Sequence, residues 1–306
     1  MCEMTGQPSA EAIAAKKKLS SQFFKKGISI AIFSGIMYGF YSAFLSLGMT
    51  KGVWSDWYGT NTAGLSAFVI TYVLGALGSA VNDSCSAIWA MLYAGIRGKF
   101  GDFLRCINTT PGRVMILAAL IGGPISSTAY VIGLQMAGSI VIPITALCPA
   151  IGAILGRILF KQELNKRMTL GIAICVAASF MIGSTSITGS APKGALLGIC
   201  IAFIAALGWG FEGCVAGYGT SMIDSEIGIT IRQATSGLSN LIIFIPVISI
   251  IVGNNAGLAF HLTAKAFTSG PAMIWLAISG LCAYLSFMTW YKGNSMAGTA
   301  LGMATN

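Results

Sequence analysis

The sequence predicts an all-α integral membrane protein, and this prediction rests on composition and on the pattern of hydropathy. Charged residues make up 9% of the 306-residue chain and hydrophobic residues 55%, whereas soluble domains average about 25% charged residues. The apolar residues fall into runs of roughly bilayer-spanning length, separated by short polar segments. Because lipid offers no hydrogen bonds, runs of this length satisfy their backbone groups as α-helices.

Eight apolar runs are long enough to predict membrane spans, and a ninth begins near Thr299. A basic segment, residues 1–26, precedes them, and we expect it to form a cytosolic tail. The predicted spans cover residues 27–48, 64–96, 114–137, 140–160, 168–184, 194–216, 227–252 and 272–291.

The second predicted span is too long for a straight crossing. As a helix its 33 residues would reach about 50 Å, against a hydrocarbon core of about 30 Å. The polar trio Asn82, Asp83 and Ser84 is the natural place for a break. Splitting the span into two crossings would reverse the charge bias of every later loop, so we predict one bent or extended crossing.

The distribution of charge predicts the orientation and excludes some functions. With the N-terminus inside, 15 of the 18 Lys and Arg residues fall on the inner side, where cytosolic loops retain positive charge. We therefore expect a cytosolic N-terminus in a bacterial plasma membrane. Nucleic-acid binding is not indicated, because the basic residues form no continuous face. The eight cysteines lack the close pairing of a zinc or redox motif, and we expect no metal and no cofactor.

Short motifs recur between the two halves of the chain. At an offset of 160 residues, Met-Ala-Gly at 136–138 recurs at 296–298. At an offset of 171, Tyr-Gly-Phe at 38–40 is matched by Trp-Gly-Phe at 209–211. These matches predict a duplication into two five-helix repeats. An odd number of crossings inverts the second repeat relative to the first, as in alternating-access carriers.

The predicted duplication divides the chain into domains. Residues 27–184 form the first five-helix repeat, and residues 194–306 form the second, which stops at the start of its fourth helix. A complete second repeat would run to about residue 344. We therefore expect the inverted-topology repeat to be incomplete in this chain, with about 40 further residues in the complete protein.

The fourth and fifth predicted spans carry motifs of a known family. Leu-Cys-Pro-Ala at 147–150 leads to Gln162-Glu163 and then to Met-Thr-Leu-Gly at 168–171, and Trp-Gly stands at 209–210. In these motifs the chain resembles the EamA-type ten-helix branch of the drug/metabolite transporter superfamily, in which Gly-Glu is usual at the turn. The resemblance implies secondary transport, with a central cavity lined by spans one to four and six to nine.

Three ionisable side chains lie within predicted spans, where they are costly and therefore functional candidates. Glu212 and Arg232 lie about 6 to 8 Å below the same surface. They have two alternative roles, an ion pair that fixes the hairpin between the two spans or a part in cation binding. Asp83 lies about 20 Å along its helix from Arg97, with no basic residue predicted at its level. An unpaired buried carboxylate favours its protonated form. Proton coupling or capture of a cationic solute is the hypothesis for Asp83, and solvation of a helix break is the alternative.

Aromatic side chains lie on spans that the resemblance places around the cavity. Aromatic faces attract organic cations, and with a carboxylate nearby they indicate an amine, an amino acid or another cationic or zwitterionic solute. Anchoring at the lipid interface is the alternative, and we assign it to Trp54, Trp57, Trp89 and Tyr93. The substrate or coupling candidates are Asp83, Glu212, Tyr38, Tyr41, Tyr130, Trp209, Tyr284 and Trp290, with Arg232 as the structural ion-pair candidate.

The predicted function is secondary active transport of a small metabolite by alternating access. The expected partners are a small-molecule solute, the lipid bilayer and protons as the coupling ion, with the chain a monomer or a homodimer. A membrane-embedded enzyme is an alternative, but it needs clustered acidic, His or Cys groups near one interface, and the single histidine, His261, lies in an outer loop. A channel or receptor is a further alternative that hydropathy does not separate from a carrier.

Overall fold

The architecture consists of packed α-helices of membrane-spanning length. The computed structural model describes residues 10–59, 65–161, 166–185, 194–220, 222–253 and 256–297, and within these ranges the chain contains no strand. The protein is therefore an all-α integral membrane protein. Five helical stretches among the described residues are long and apolar enough to cross a membrane, and two apolar helices are shorter. The five are residues 21–48, 110–145, 195–219, 225–251 and 270–296, and the shorter two are 148–160 and 169–181.

The helices are numbered in chain order, with π-helical turns at points where the backbone accommodates an extra residue. They are α1 (Ala10–Gly48), α2 (Val53–Tyr58), a π turn (Val69–Val73) leading into α3 (Leu74–Ile96), α4 (Phe100–Ile107), α5 (Thr110–Leu120), a π turn (Ile121–Ser127) joining it to α6 (Thr128–Ala137), α7 (Val141–Thr145), α8 (Cys148–Phe160), α9 (Lys166–Thr185), α10 (Ala195–Gly219), α11 (Ser225–Ser239), a π turn (Asn240–Phe244) joining it to α12 (Ile245–Gly253), α13 (Ala256–Thr268) and α14 (Gly270–Ala297).

Two groups of helices enclose one interior. In the first group, α1 lies along α14, and α3 packs against both α14 and α11. In the second group, α10 packs against α5, α6 and α8. The groups meet where α5 and its π turn contact α11. Helix α9 is peripheral, because it contacts α7 and α8 and leaves Phe180 and Met181 exposed.

The second predicted span is a continuous helix through its polar trio. Helix α3 passes Asn82, Asp83 and Ser84 without a break, and all three residues are buried. Asn82 Oδ1 accepts a hydrogen bond from the Ser279 hydroxyl (2.7 Å). The helix therefore does not break at the trio, because side chains of neighbouring helices supply the polar contacts; the single bent or extended crossing stays a prediction. The irregularity lies earlier, in the π turn Val69–Val73.

The fourth predicted span, residues 140–160, is two helices. Helix α7 ends at Thr145 and α8 begins at Cys148, with Pro149 in its first turn. Proline lacks a backbone N–H and is tolerated in a first turn, where that donor would have no helical partner. The interruption therefore brings Thr145 and Cys148 close together in the middle of the span.

Helix boundaries recur at the offsets of the repeated motifs. The stretch Thr110–Ala137 (α5 to α6) and helix α14 begin 160 residues apart. Helices α1 and α10 end at Gly48 and Gly219, which are 171 residues apart. The ninth span predicted near Thr299 lies outside the described residues. These coincidences support the duplication and inversion of the two halves, which stay predictions.

A buried aromatic cluster lies between α1 and α3, at the predicted outer surface. Trp54 is fully buried and Trp57 nearly so, and their ring centroids are 5.1 Å apart. The Val53 backbone N–H donates to Ser269 Oγ (3.0 Å), which ties α2 to the start of α14. The assignment of these two tryptophans as interfacial anchors is therefore wrong, because both side chains are buried where α2 lies against α13.

An ion-pair cluster joins helix ends at the predicted inner surface. Lys99 Nζ lies 2.8 Å from Asp224 Oδ2 and 2.7 Å from Glu226 Oε2. The hydrogen bonds to these two carboxylates raise the pKa of Lys99 above its ordinary value. Partial burial opposes ionisation of Asp224, but hydrogen bonds from Lys99 and from the Glu226 backbone N–H hold its pKa below the ordinary value. The α3–α4 loop and the start of α11 therefore meet at the same surface.

The orientation can be tested with Cys106, which lies on α4 and is partly exposed. In a variant that retains only this cysteine, we expect a membrane-impermeant maleimide to label Cys106 in inside-out vesicles and not in right-side-out vesicles, because α4 is on the predicted cytosolic side. Labelling is measured as a gel shift. Thr50→Cys in a cysteine-free background is the matched control, since Thr50 is exposed in the predicted outer loop and should show the opposite pattern. Labelling of Cys106 from outside would refute the orientation.

Candidate functional site

A buried ion pair lies between α10 and α11. Arg232 Nε donates to Glu212 Oε1 (2.7 Å) and Arg232 Nη2 donates to Glu212 Oε2 (3.2 Å), the bidentate geometry that makes such pairs strong. Both side chains are fully buried. The Tyr291 hydroxyl on α14 donates to Glu212 Oε1 (2.9 Å), and Arg232 Nη1 donates to Gln233 Oε1 (2.8 Å). The guanidinium carbon also lies 4.0 Å from the centroid of the Phe287 ring.

The ion pair lies deeper than the sequence indicates. Glu212 is seven residues before the end of α10, and Arg232 is seven residues after the start of α11. At about 1.5 Å per residue, both lie about 10 Å from the helix ends, against the expected 6 to 8 Å or so. The difference arises because both helices extend beyond the predicted spans. The ion pair, one of the two alternatives for Glu212 and Arg232, is present. The other alternative, a role in cation binding, stays a prediction.

Asp83 is held by side chains of α11 and of the π turn that follows it. Its Oδ2 accepts hydrogen bonds from the Ser236 hydroxyl and from Asn240 Nδ2 (3.0 Å). Arg232, Ser236 and Asn240 are spaced by four residues and therefore share one helix face. Asp83 and Arg232 also interact electrostatically. The prediction that no basic residue lies at the level of Asp83 is wrong, because the guanidinium that pairs with Glu212 also acts on Asp83.

The charges of this cluster do not balance when both carboxylates are ionised. Among the described buried residues, the charged side chains are Asp83, Glu212 and Arg232. Two carboxylates and one guanidinium leave one excess negative charge in an interior where an uncompensated charge is costly. The cluster therefore favours one bound proton or a nearby cation. No three His, Cys, Asp or Glu side chains in the described part of the chain come together as a metal site.

Aromatic rings from α1, α6 and α10 form one cluster. The centroids of Tyr130 and Trp209 lie 5.2 Å apart, and that of Tyr38 lies 6.1 Å from Trp209 and 5.6 Å from Tyr41. The Tyr38 hydroxyl is 3.3 Å from Thr145 Oγ1 at the end of α7. The cluster therefore combines four ring faces with hydroxyl groups at the interruption between α7 and α8.

A cavity of about 230 Å³ opens beside the aromatic cluster. Phe287 connects it to the ion pair, because this ring lines the cavity and contacts the Arg232 guanidinium. The Trp290 ring also lines the cavity, and its indole N–H is buried without a hydrogen-bond partner among the described residues. The lining side chains are mainly aromatic or carry a hydroxyl or thiol: Tyr38, Thr145, Cys148, Trp209, Phe287 and Trp290.

The structure places one predicted aromatic candidate, Tyr284, away from the cavity. Its ring packs against Tyr93, with centroids 5.9 Å apart, and its hydroxyl donates to the Met288 sulfur (3.4 Å). It does not belong to the aromatic cluster or to the cavity lining. The other aromatic candidates lie in the cluster or the cavity wall: Tyr38, Tyr41, Tyr130, Trp209 and Trp290.

Sequence reasoning missed four members of the buried network: Ser236, Asn240, Tyr291 and Gln233. Ser236 and Asn240 carry a usable signal, because with Arg232 they form a polar line at spacings of four within a predicted span. Tyr291 carries no such signal, since its bond to Glu212 joins residues 79 positions apart.

Comparison with known proteins identifies no family for this chain. A scan against protein-family models finds no match, and a search of curated proteins finds none either. The resemblance to EamA-type transporters therefore rests on the short motifs of the fourth, fifth and sixth spans.

Glu212→Gln breaks the buried bidentate pair and leaves Asp83 to compensate the Arg232 guanidinium through its charge alone, so we expect the free energy of unfolding to fall by about 3 kcal/mol. Tyr291→Phe removes one hydrogen bond to a charged group and should cost less, about 1.5–3 kcal/mol. Chemical denaturation in detergent micelles measures both losses. The double variant Glu212→Gln/Arg232→Met removes both charges of the pair, and with Asp83 protonated it should recover most of the stability. A Glu212→Gln protein as stable as the unmodified chain contradicts the pairing.

Proposed function

We propose that the protein is a secondary active transporter that moves a small amine-bearing solute across the membrane. The observation that carries this proposal is a cavity with aromatic walls beside a buried cluster of two carboxylates and one guanidinium. Ionisable groups that face the interior of a membrane bundle often mark the path of a solute or an ion. The proposed solutes are amines, amino acids and other cationic or zwitterionic metabolites.

The chemistry of the cavity wall supports this solute class. The faces of Trp209, Phe287 and Trp290 suit an ammonium group, which aromatic rings attract when it is desolvated. The charged cluster is also close, because Phe287 in the wall contacts the Arg232 guanidinium that pairs with Glu212. The hydroxyl groups of Tyr38 and Thr145 in the wall are donors for a carboxylate or hydroxyl oxygen. A zwitterion would use both features, its ammonium group on the rings and its carboxylate at these hydroxyl groups.

The excess charge of the buried cluster supports coupling to protons. With one proton bound, Asp83, Glu212 and Arg232 together are neutral. A cationic solute in the cavity supplies a positive charge to the same region, so proton and solute are alternative ways to compensate one negative charge. Competition of this kind couples the movement of the two species, because binding of one favours release of the other.

The recurring helix boundaries support the transport cycle. Two inverted halves would give the protein two similar conformations, each open to one side of the membrane. The EamA-type motifs support the same assignment, and the proposed location is the bacterial plasma membrane with a cytosolic N-terminus. The alternatives, a membrane-embedded enzyme and a channel or receptor, differ from a carrier in one measurable property, solute-accelerated exchange.

The proposed function is tested in two steps. A thermal-shift screen of the detergent-solubilised protein against amines, amino acids, nucleosides and sugars should show the largest stabilisation with an amine-bearing compound. That compound, radiolabelled, should then exchange faster from proteoliposomes when unlabelled compound is present on the opposite side. Protein-free liposomes are the control. Stabilisation without accelerated exchange would assign the cavity to an enzyme or a receptor.

Asp83→Asn preserves the size and most hydrogen bonds of the side chain but removes its ability to ionise. We expect this variant to lose uptake driven by a pH gradient and to retain exchange, because exchange moves no net protons. Both activities are measured in the same proteoliposomes with the compound selected by the screen. Asp102→Asn, at an exposed position on α4, is the matched control and should retain both. Gradient-driven uptake that survives in Asp83→Asn rules out the coupling role.

A further inference from the structure

We propose that the π turn Ile121–Ser127, between α5 and α6, is a coupling element that positions both acidic sites and links them to the cavity wall. The inference rests on the proposed function, because it assigns to this turn the transmission between solute and proton. π turns in α-helices are frequent at functional sites. This turn contains Gly122, Gly123 and Pro124 in succession.

Gly122 lies directly against the ion pair. A Cβ atom added to Gly122 would lie 1.7 Å from Glu212 Oε2 and 2.2 Å from its carboxylate carbon. Any side chain at this position would therefore displace the carboxylate that pairs with Arg232. The backbone of the turn thus forms one wall of the Glu212 site.

Gly123 has the same relation to the Asp83 site. A Cβ atom there would lie 2.0 Å from Ser236 Oγ and 2.5 Å from Ser236 Cβ, and Ser236 donates a hydrogen bond to Asp83. The second donor to Asp83, Asn240, begins the π turn Asn240–Phe244, which contacts the turn Ile121–Ser127. Consecutive glycines of one turn therefore touch the two acidic sites separately.

The same turn holds a side chain of the cavity wall. Trp209 Nε1 donates to the Gly122 carbonyl (2.9 Å), and the Trp209 ring lines the cavity. That carbonyl also accepts a hydrogen bond from the Ser127 hydroxyl (3.1 Å). Displacement of Trp209 by a solute therefore acts on the backbone atom next to both glycines.

The π turn has a chemical cause, and it has one distinct alternative arrangement, in which the extra residue lies elsewhere along the helix. Pro124 has no backbone N–H, so it cannot form the α-helical hydrogen bond to the Leu120 carbonyl, and this favours a wider turn. Moving the extra residue along the helix rotates the neighbouring residues as a unit. A shift at Gly122 and Gly123 therefore moves the wall of the Glu212 site, the Ser236 contact and the Trp209 acceptor together. Coupling between sites requires such a two-state element that both sites bias.

The test follows Trp209 fluorescence over pH in the detergent-solubilised full chain, without solute. We expect an emission change that Trp209→Phe removes and that Asp83→Asn also removes. The charged or titratable groups that face Asp83 are Arg232, Glu212 and Tyr41. Asp83→Asn leaves all three in place, so loss of the signal in this variant assigns the transition to Asp83.

Two substitutions in the turn should uncouple Trp209 from the protonation of Asp83. Gly123→Ala displaces Ser236, and Pro124→Ala restores a backbone N–H and favours an ordinary α turn without adding bulk. Each should abolish the pH-dependent change at Trp209, while the carboxyl band that Asp83→Asn removes from infrared difference spectra still titrates. Gly39→Ala is the matched control, since nothing lies within 4 Å of a Cβ at that helical position, and it should keep the change. Circular dichroism and gel filtration establish that each variant is folded.

The outcomes separate this inference from the proposed function. A Trp209 signal that persists in folded Gly123→Ala or Pro124→Ala overturns the inference, and so does the absence of an Asp83-dependent Trp209 signal in the unmodified protein. An Asp83-dependent signal that both variants lose supports it, whether or not counterflow is observed. If the Asp83-dependent Trp209 signal behaves as expected but counterflow is absent, the transport function is rejected and this inference is not.

Discussion

The structure depends on one buried arginine that two carboxylates share. Arg232 pairs with Glu212 through two hydrogen bonds and acts electrostatically on Asp83. A charge in the membrane interior is tolerated only when partners are fixed around it. Those partners come from α3, α10 and α14, with Tyr291 completing the set. Four helices are therefore held at one level of the bundle by a single guanidinium.

Around this polar centre the helices approach closely through small residues. Lipid gives membrane helices no hydrophobic reason to associate, so packing and polar contacts replace it. A Cβ atom on Gly280 of α14 would lie 2.5 Å from Cys85 Cβ on α3, and one on Gly198 of α10 would lie 2.8 Å from Met136 Cβ on α6. Such contacts allow no side chain at the crossing points. They bring the helices near enough for the buried side chains to reach across.

The sequence predicts the elements that depend on local pattern and fails where a partner is distant. The helices around residues 27–48, 194–216 and 272–291 follow from apolar length, because lipid requires helices there. The Glu212–Arg232 pair follows from equal depth in adjacent helices. The environment of Asn82 does not follow from the sequence, because Ser279, whose hydroxyl donates to it, lies 197 residues away. The burial of Trp54 likewise depends on α13, which no property of its own segment reveals.

The ionisable state of Asp83 is the feature that a structural role does not explain. Its hydrogen bonds come from Ser236 and Asn240, both of which would also donate to the carbonyl oxygen of an amide. An asparagine at this position would therefore hold α3 to α11 without adding a second negative charge beside Arg232. A carboxylate makes the cluster more costly to bury unless a proton or cation accompanies it. The hydrogen bonds of Asp83 therefore do not require its charge, which is consistent with the proposed role in moving charge and with the proposed coupling through the glycine turn beside it.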